Sequence, residues 1–161
     1  MKILYICTHN RCRSILSEAI TNHVAGDKIT AKSAGSQPVG EVHPLSIKYL
    51  QEAGMSTAGL TSQSWDEFED FNADIVVTVC DSAAGESCPV WFGNSVKIHW
   101  GLADPSKLEG SDEEIADAFR QTIKQITQRV EQLAAIKADI NDKPALIAEL
   151  TELGAIHTGS K

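Results

Sequence analysis

The chain has 161 residues, with 14 Lys and Arg against 22 Asp and Glu, for a net charge of −8. That length fits one well-buried core and excludes two full-sized domains. The negative balance repels nucleic acid and anionic membranes, so any site for an anion must be built locally. No apolar run approaches the roughly 20 residues that span a bilayer, and "MKILYIC" lacks the apolar core and cleavage site of a secretory leader, so the expected location is the cytoplasm. Four cysteines are too few for a secreted disulfide scaffold. In a reducing compartment they point to catalysis, metal binding or packing.

Lys2 to Cys7 reads as a buried strand. From Arg13 to Val24, Ile15, Leu16, Ala19, Ile20 and Val24 share one helical face, closed by Gly26. A second strand is expected at Ile29 to Ser33, ended by "SAG", and a helix from about His43 to Ala53, stopped by Gly54. Ser62 to Asp70 has the pattern of a short acidic helix with a solvated face. Ala73 to Cys80 is apolar on both faces, as in a central parallel strand, and Ser95 to Trp100 makes a shorter fourth strand. Ser111 and Glu114 form a capping box, after which Ile115, Phe119, Ile123, Ile126, Val130, Leu133 and Ile136 recur every three or four residues along a long helix. Alternating strands and helices predict an open α/β sheet. After Lys143-Pro144, "ALIAELTELG" is expected to add a short helix without chemistry. The histidines His23, His43, His99 and His157 read as structural or exposed, and Trp65, Trp91 and Trp100 as core or interface residues.

The chemistry lies between the first strand and the first helix, in "CTHNRCRS". A loop entering a helix aims several backbone N–H groups at one spot, where the helix dipole adds about half a positive charge. This loop has no glycine and matches neither common nucleotide-binding pattern, which argues against nucleotides. It carries a thiol at its entrance, Cys7, and after five residues a guanidinium, Arg13, followed by Ser14. Arginine holds two oxygens of a tetrahedral oxyanion at once, leaving the central atom facing the sulfur. Cationic and helix-terminal surroundings bring a cysteine from about 8.5 to about 3.5–7.5, so the thiolate is available as nucleophile.

The C-x5-R-S pattern, with "SAG" at Ser33 to Gly35, "EAG" at Glu52 to Gly54 and Asp104-Pro105, resembles the low-molecular-weight protein tyrosine phosphatases over about residues 1–139. The resemblance implies an open, parallel, four-stranded sheet of flavodoxin-like order 2-1-3-4 with helices on both faces. Residues 1–139 would form the catalytic domain, and residues 140–161 a C-terminal extension of short helix and polar tail. It also implies Cys7 as nucleophile, Arg13 as oxyanion clamp, Asn10 as shaper of the loop, Ser14 as hydrogen-bond donor to the thiolate and Asp104 as general acid. Thr8, His9, Asn10, Arg11, Cys12 and Ser14 complete the substrate-binding loop. His9 departs from the small residue usual in the family, and Cys12 is a bystander or protective thiol.

The family has two main branches, phosphatases and arsenate reductases. In a 2-1-3-4 order the first and third strands are neighbours, so Cys7 and Cys80 would end adjacent strands about 4.8 Å apart, within reach of a disulfide after a modest shift. Cys88 follows across "DSAAGES", whose small residues permit movement. This arrangement resembles the thiol-cascade reductases, in which Cys7 would form the arsenate adduct, Cys80 would release arsenite, and Cys88 would carry the disulfide outward. Ser106 and Lys107 after Asp104-Pro105 cannot stack on a phosphotyrosine ring, which favours the same branch. The expected substrate is arsenate, with phosphate or sulfate as competing oxyanions. The expected reductant is thioredoxin, or glutaredoxin with glutathione, and no metal or other cofactor is called for. The competing readings are a phosphomonoester hydrolase and an oxyanion-binding redox sensor. Packing of Cys80 in the core is the bland alternative, and the cysteine spacings do not suit zinc.

Overall fold

The computed structural model describes residues 2–7, 10, 12–35, 37, 40–57, 59–71, 73–79, 96–100, 110–135, 144, 145 and 148. Four strands, β1 (Lys2–Ile6), β2 (Thr30–Ala34), β3 (Ile75–Thr78) and β4 (Val96–His99), pair in parallel in the order β2-β1-β3-β4. The register sets Ile6 beside Ala34 and Thr78, and Thr78 beside His99. One rung further, the Cys7 N–H donates to Ala34 O at 3.2 Å, Val79 N–H to Ile6 O at 2.9 Å and Trp100 N–H to Thr78 O at 2.8 Å. Cys7, Val79 and Trp100 therefore leave the sheet side by side along its carboxyl edge.

Ile3, Leu4, Tyr5 and Ile6 are all fully buried. Successive strand residues face opposite sides, so both faces of β1 are covered, as a central parallel strand requires. Tyr5 points toward α1 (Arg13–Ala25), where its hydroxyl lies 2.8 Å from Thr21 Oγ1. Lys2, Leu4 and Ile6 point the other way, and the Lys2 ammonium sits 5.8 Å from the ring of Phe71. Helix α1 packs on β1, β2 and the long helix α3 (Asp112–Ala134). Tyr49 of α2 (Pro44–Glu52) stacks on Phe119 of α3 with centroids 5.2 Å apart.

Local chemistry sets the boundaries. The His43 Nδ1 accepts from Leu45 N–H at 3.1 Å and Pro44 takes the first helical position of α2, where its missing N–H costs nothing. At the other end Gly54 adopts φ +80°, and Met55 N–H reaches back to Leu50 O, the left-handed termination that glycine permits. Ser111 Oγ accepts from Glu114 N–H at 3.2 Å to start α3. The short acidic helix expected at Ser62 to Asp70 is a 3-10 segment, Trp65–Phe71, interrupted by a kink at Phe68, whose φ of −111° and ψ of 17° are non-helical. Trp65, Phe68 and Phe71 pack against the core. Strand ends fall within one or two residues of the sequence reading, β2 starting at Thr30 rather than Ile29. The expectations at Ile136, at Trp91 and at most of "ALIAELTELG" fall outside the described residues, of which Pro144, Ala145 and Ala148 are helical. No described helix is long and apolar enough to cross a membrane.

Candidate active site

Cys7 is buried at the carboxyl end of β1, the inner strand between β2 and β3. Arg13 is the first residue of α1 and is partly buried. The chain between them must turn from strand to helix, and Asn10 makes that turn. It is fully buried and has φ +47°, a left-handed conformation that asparagine tolerates better than most residues. Its Nδ2 donates to Ser14 Oγ at 2.8 Å, and its Oδ1 accepts from Gln63 N–H at 2.8 Å. One side chain thus ties the middle of the loop to the first turn of α1 and to the segment preceding the 3-10 helix.

That segment is itself anchored. Gln63 O accepts from Gly35 N–H at 2.9 Å and Gly35 O from Trp65 N–H at 3.1 Å, forming a parallel bridge between Gly35 and Ser64. Gln63 Nε2 donates to Ser33 O at 3.2 Å. The small residues of "SAG" let this second chain run alongside the end of β2. Ser33 also donates its hydroxyl to Glu18 Oε1 at 2.6 Å, linking β2 to α1. Burial pushes the Glu18 carboxyl above its ordinary range, opposed by the Ser33 hydrogen bond and the nearby Lys32 charge.

The amino end of α1 is suited to an anion. Cys12 occupies the N-cap position without a side-chain cap, and no acidic residue stands in the first turn. The leading N–H groups of a helix lack intrahelical partners, so they and the dipole favour negative charge there. Cys7 and Cys12 are both buried. Among the described residues no cluster of three or more His, Cys, Asp or Glu is placed to hold a metal ion.

The structure therefore gathers Cys7, Asn10, Cys12, Arg13 and Ser14 around one strand-to-helix turn. Thr8, His9, Arg11, Cys80, Cys88 and Asp104 lie outside the described residues. Glu18 and Gln63 were not singled out by the sequence reading. Both are polar residues buried or engaged by contacts across the fold, and nothing in periodicity marks them. Ser14, Ser17, Glu18 and Thr21 are all buried on α1 beside its apolar residues, which blurs the helix's amphipathic pattern.

Residues 2–145 match the family described as low molecular weight phosphotyrosine protein phosphatase. The arsenate reductase of Halalkalibacterium halodurans is 37% identical over 132 residues, spanning 82% of this chain and 94% of that protein. The glutaredoxin arsenate reductase of Synechocystis is 31% identical over 137 residues, spanning 83% of this chain and 96% of that protein. The solved structure of an arsenate reductase in the phosphate-binding state superposes with a TM-score of 0.66 at 28% identity, spanning 83% of this chain and 96% of that one. The chain therefore belongs to the low molecular weight phosphotyrosine protein phosphatase family, its similarity there being to arsenate reductases.

Proposed function

We propose that this protein reduces arsenate to arsenite, with Cys7 as nucleophile and a dithiol carrier as the source of electrons. The observation that carries the reading is the Asn10-tied turn, which sets a buried thiol at one end and a guanidinium at the other beside an uncapped helix start. The relatives named arsenate reductase support the choice of arsenic over phosphotyrosine.

The chemistry runs in three balanced steps. Arg13 and the leading N–H groups of α1 hold arsenate oxygens while the Cys7 thiolate attacks arsenic. A sulfur–arsenic bond forms and one oxygen leaves as water, its proton supplied by Asp104. Ser14, whose oxygen takes the Asn10 hydrogen, donates its own toward the thiolate. The Cys80 thiolate then attacks the Cys7 sulfur, the sulfur–arsenic pair passes to arsenic, and arsenite leaves as Cys7 and Cys80 join. Cys88 next displaces Cys7 from Cys80, freeing the nucleophile, and the Cys80–Cys88 disulfide is reduced by thioredoxin, or by glutaredoxin with glutathione. Access governs such exchanges as much as thiol acidity does.

The same reading takes residues 1–139 as the catalytic domain, on a four-stranded flavodoxin-order sheet with helices on both faces, and residues 140–161 as an extension. It places the protein in the cytoplasm, where carrier thiols stay reduced. The direct test is arsenite production with thioredoxin and with glutaredoxin plus glutathione, run beside hydrolysis of a small aryl phosphate. Arsenite release with at least one carrier is expected. Hydrolysis far faster than any arsenate turnover would instead make the protein a phosphatase.

A further inference from the structure

Arg129 lies on α3, is 2% exposed, and is among the largest fully enclosed side chains of the described residues. Its Nε and Nη1 are buried and have no hydrogen-bond partner. Its guanidinium carbon lies 5.9 Å from the centre of the Trp100 ring, a cation–π contact. Burial pulls its pKa down, the opposing influence is the Tyr5 side chain, and among the described residues no carboxylate acts on it. Arginine nevertheless remains charged at neutral pH. An enclosed cation without a carboxylate is costly, and an apolar side chain of similar volume would fill the space without that cost.

The position of this charge suggests its use. Tyr5 precedes Cys7 by two residues, so the two side chains leave β1 toward the same face. Trp100 stands on the same rung of the sheet as Cys7, with β3 between them. Arg129, touching Trp100 and acting on Tyr5, is therefore lodged on the face of the sheet that Cys7 shares, near the carboxyl edge, where Trp100 stands two strand spacings or ~10 Å from Cys7. At an effective dielectric of about 20, a charge about 10 Å away moves a neighbouring titration by about one pH unit.

We propose that Arg129 is a positioning residue for negative charge at Cys7: a buried cation whose field favours the thiolate and a bound oxyanion, alongside Arg13 and the amino end of α1. This rests on Cys7 being the nucleophile. Among the described residues, few other groups face the pair. Arg13 and Cys12 flank Cys7 from the start of α1, Tyr5 faces Arg129 from β1, and Glu18 of α1 is engaged by Ser33 on β2.

The test uses the full-length reduced protein. The rate of Cys7 alkylation by iodoacetamide is followed against pH, with peptide mass spectrometry separating Cys7 from the other three cysteines, in the parent, R129M and R129Q. Thermal unfolding is measured in parallel. The expected result is a midpoint about one pH unit higher in both variants, and a rate about tenfold lower well below that midpoint. The melting temperature of R129M should be unchanged or raised, because a packed apolar chain replaces an unpaired charge. Midpoints within about 0.3 pH units of the parent would overturn the proposal. So would loss of folding in both variants, which would make Arg129 a structural residue. A parent Cys7 that resists alkylation at every pH at which the protein is folded removes the nucleophile assignment itself, and this proposal with it.

Discussion

Replacing Asn10 by alanine removes a side chain that ties the strand-to-helix turn at two points. Two hydrogen bonds of 2.8 Å are lost, from Asn10 Nδ2 to Ser14 and from Gln63 N–H to Asn10 Oδ1. Each such bond contributes about 1 kcal/mol net, and a backbone donor left without a partner costs about 1–3 kcal/mol. The φ of +47° adds a further penalty of about 1 kcal/mol for a residue with a Cβ and no compensating side chain. With about 1 kcal/mol for the Ser14 bond, about 1–3 for the stranded Gln63 N–H in place of its own bond and about 1 for the backbone, the sum is about 3–5 kcal/mol, and at roughly 2–4 °C per kcal/mol for a domain of this size Asn10→Ala should melt about 10 °C or more below the parent. Asn10→Gly loses the same bonds without the backbone penalty, and should recover about 1 kcal/mol of the deficit. The assay is thermal unfolding by circular dichroism, paired with arsenate turnover at a temperature where all three proteins are folded. Both variants should turn over slowly, because the loop no longer presents Cys7 and Arg13 together. An alanine variant that melts within about 1 °C of the parent and keeps its turnover would show that Asn10 does not hold the turn.

Further expectations follow from the same contacts. Cys7→Ser should abolish arsenate reduction and any aryl phosphatase activity together, and Arg13→Lys should fail nearly as badly because a point charge cannot replace the bidentate fork; steady-state kinetics on both substrates checks this. Asp104→Asn should slow adduct formation by about 10²–10⁴-fold in a rapid-quench experiment, whereas an unchanged rate with lowered thermal stability would leave Asp104 as a turn residue. Glu18 carries a pKa raised above its ordinary 4.5 by burial. The folded state then holds its proton more tightly than the unfolded chain, so stability is greatest below the ordinary value and falls as pH rises through the raised one. Urea unfolding of Glu18→Gln across that window should lack the decline seen in the parent, and identical pH profiles would contradict the assignment.

The parts of the fold that repeat themselves were legible in the sequence. The apolar run of β1, the break into a polar loop and the three-or-four-residue spacing of α3 each report burial through a period, and the elements stand where those periods place them. At Ser62 to Asp70 a short acidic helix is legible, but its 3-10 geometry and the kink at Phe68 leave no period in the sequence. Gln63, Glu18 and Arg129 were not legible. Each owes its place to a partner 15 or more residues away or to an aromatic ring on another element, and a polar residue buried by such contacts leaves no trace in hydrophobic periodicity. Arg129 in particular occupies a position on α3 between Ile126 and Val130 that reads as solvent-facing by residue type alone. Within the loop, spacing and chemistry single out Cys7, Arg13 and Ser14 as candidates, while the contact of Asn10 with Gln63 required the fold.

If a thiol takes arsenic off Cys7, the Cys88→Ser variant should isolate that step. After one pulse of arsenate to the reduced variant without carrier, one equivalent of arsenite should be released, and peptide mass spectrometry should find Cys7 joined to Cys80. The parent treated in the same way should carry Cys80 joined to Cys88, and Cys80→Ser should release no arsenite while still hydrolysing a small aryl phosphate. Sustained multiple turnover in both Cys80→Ser and Cys88→Ser with every carrier, and no disulfide containing Cys7 in either, would contradict the cascade and leave a phosphatase in its place.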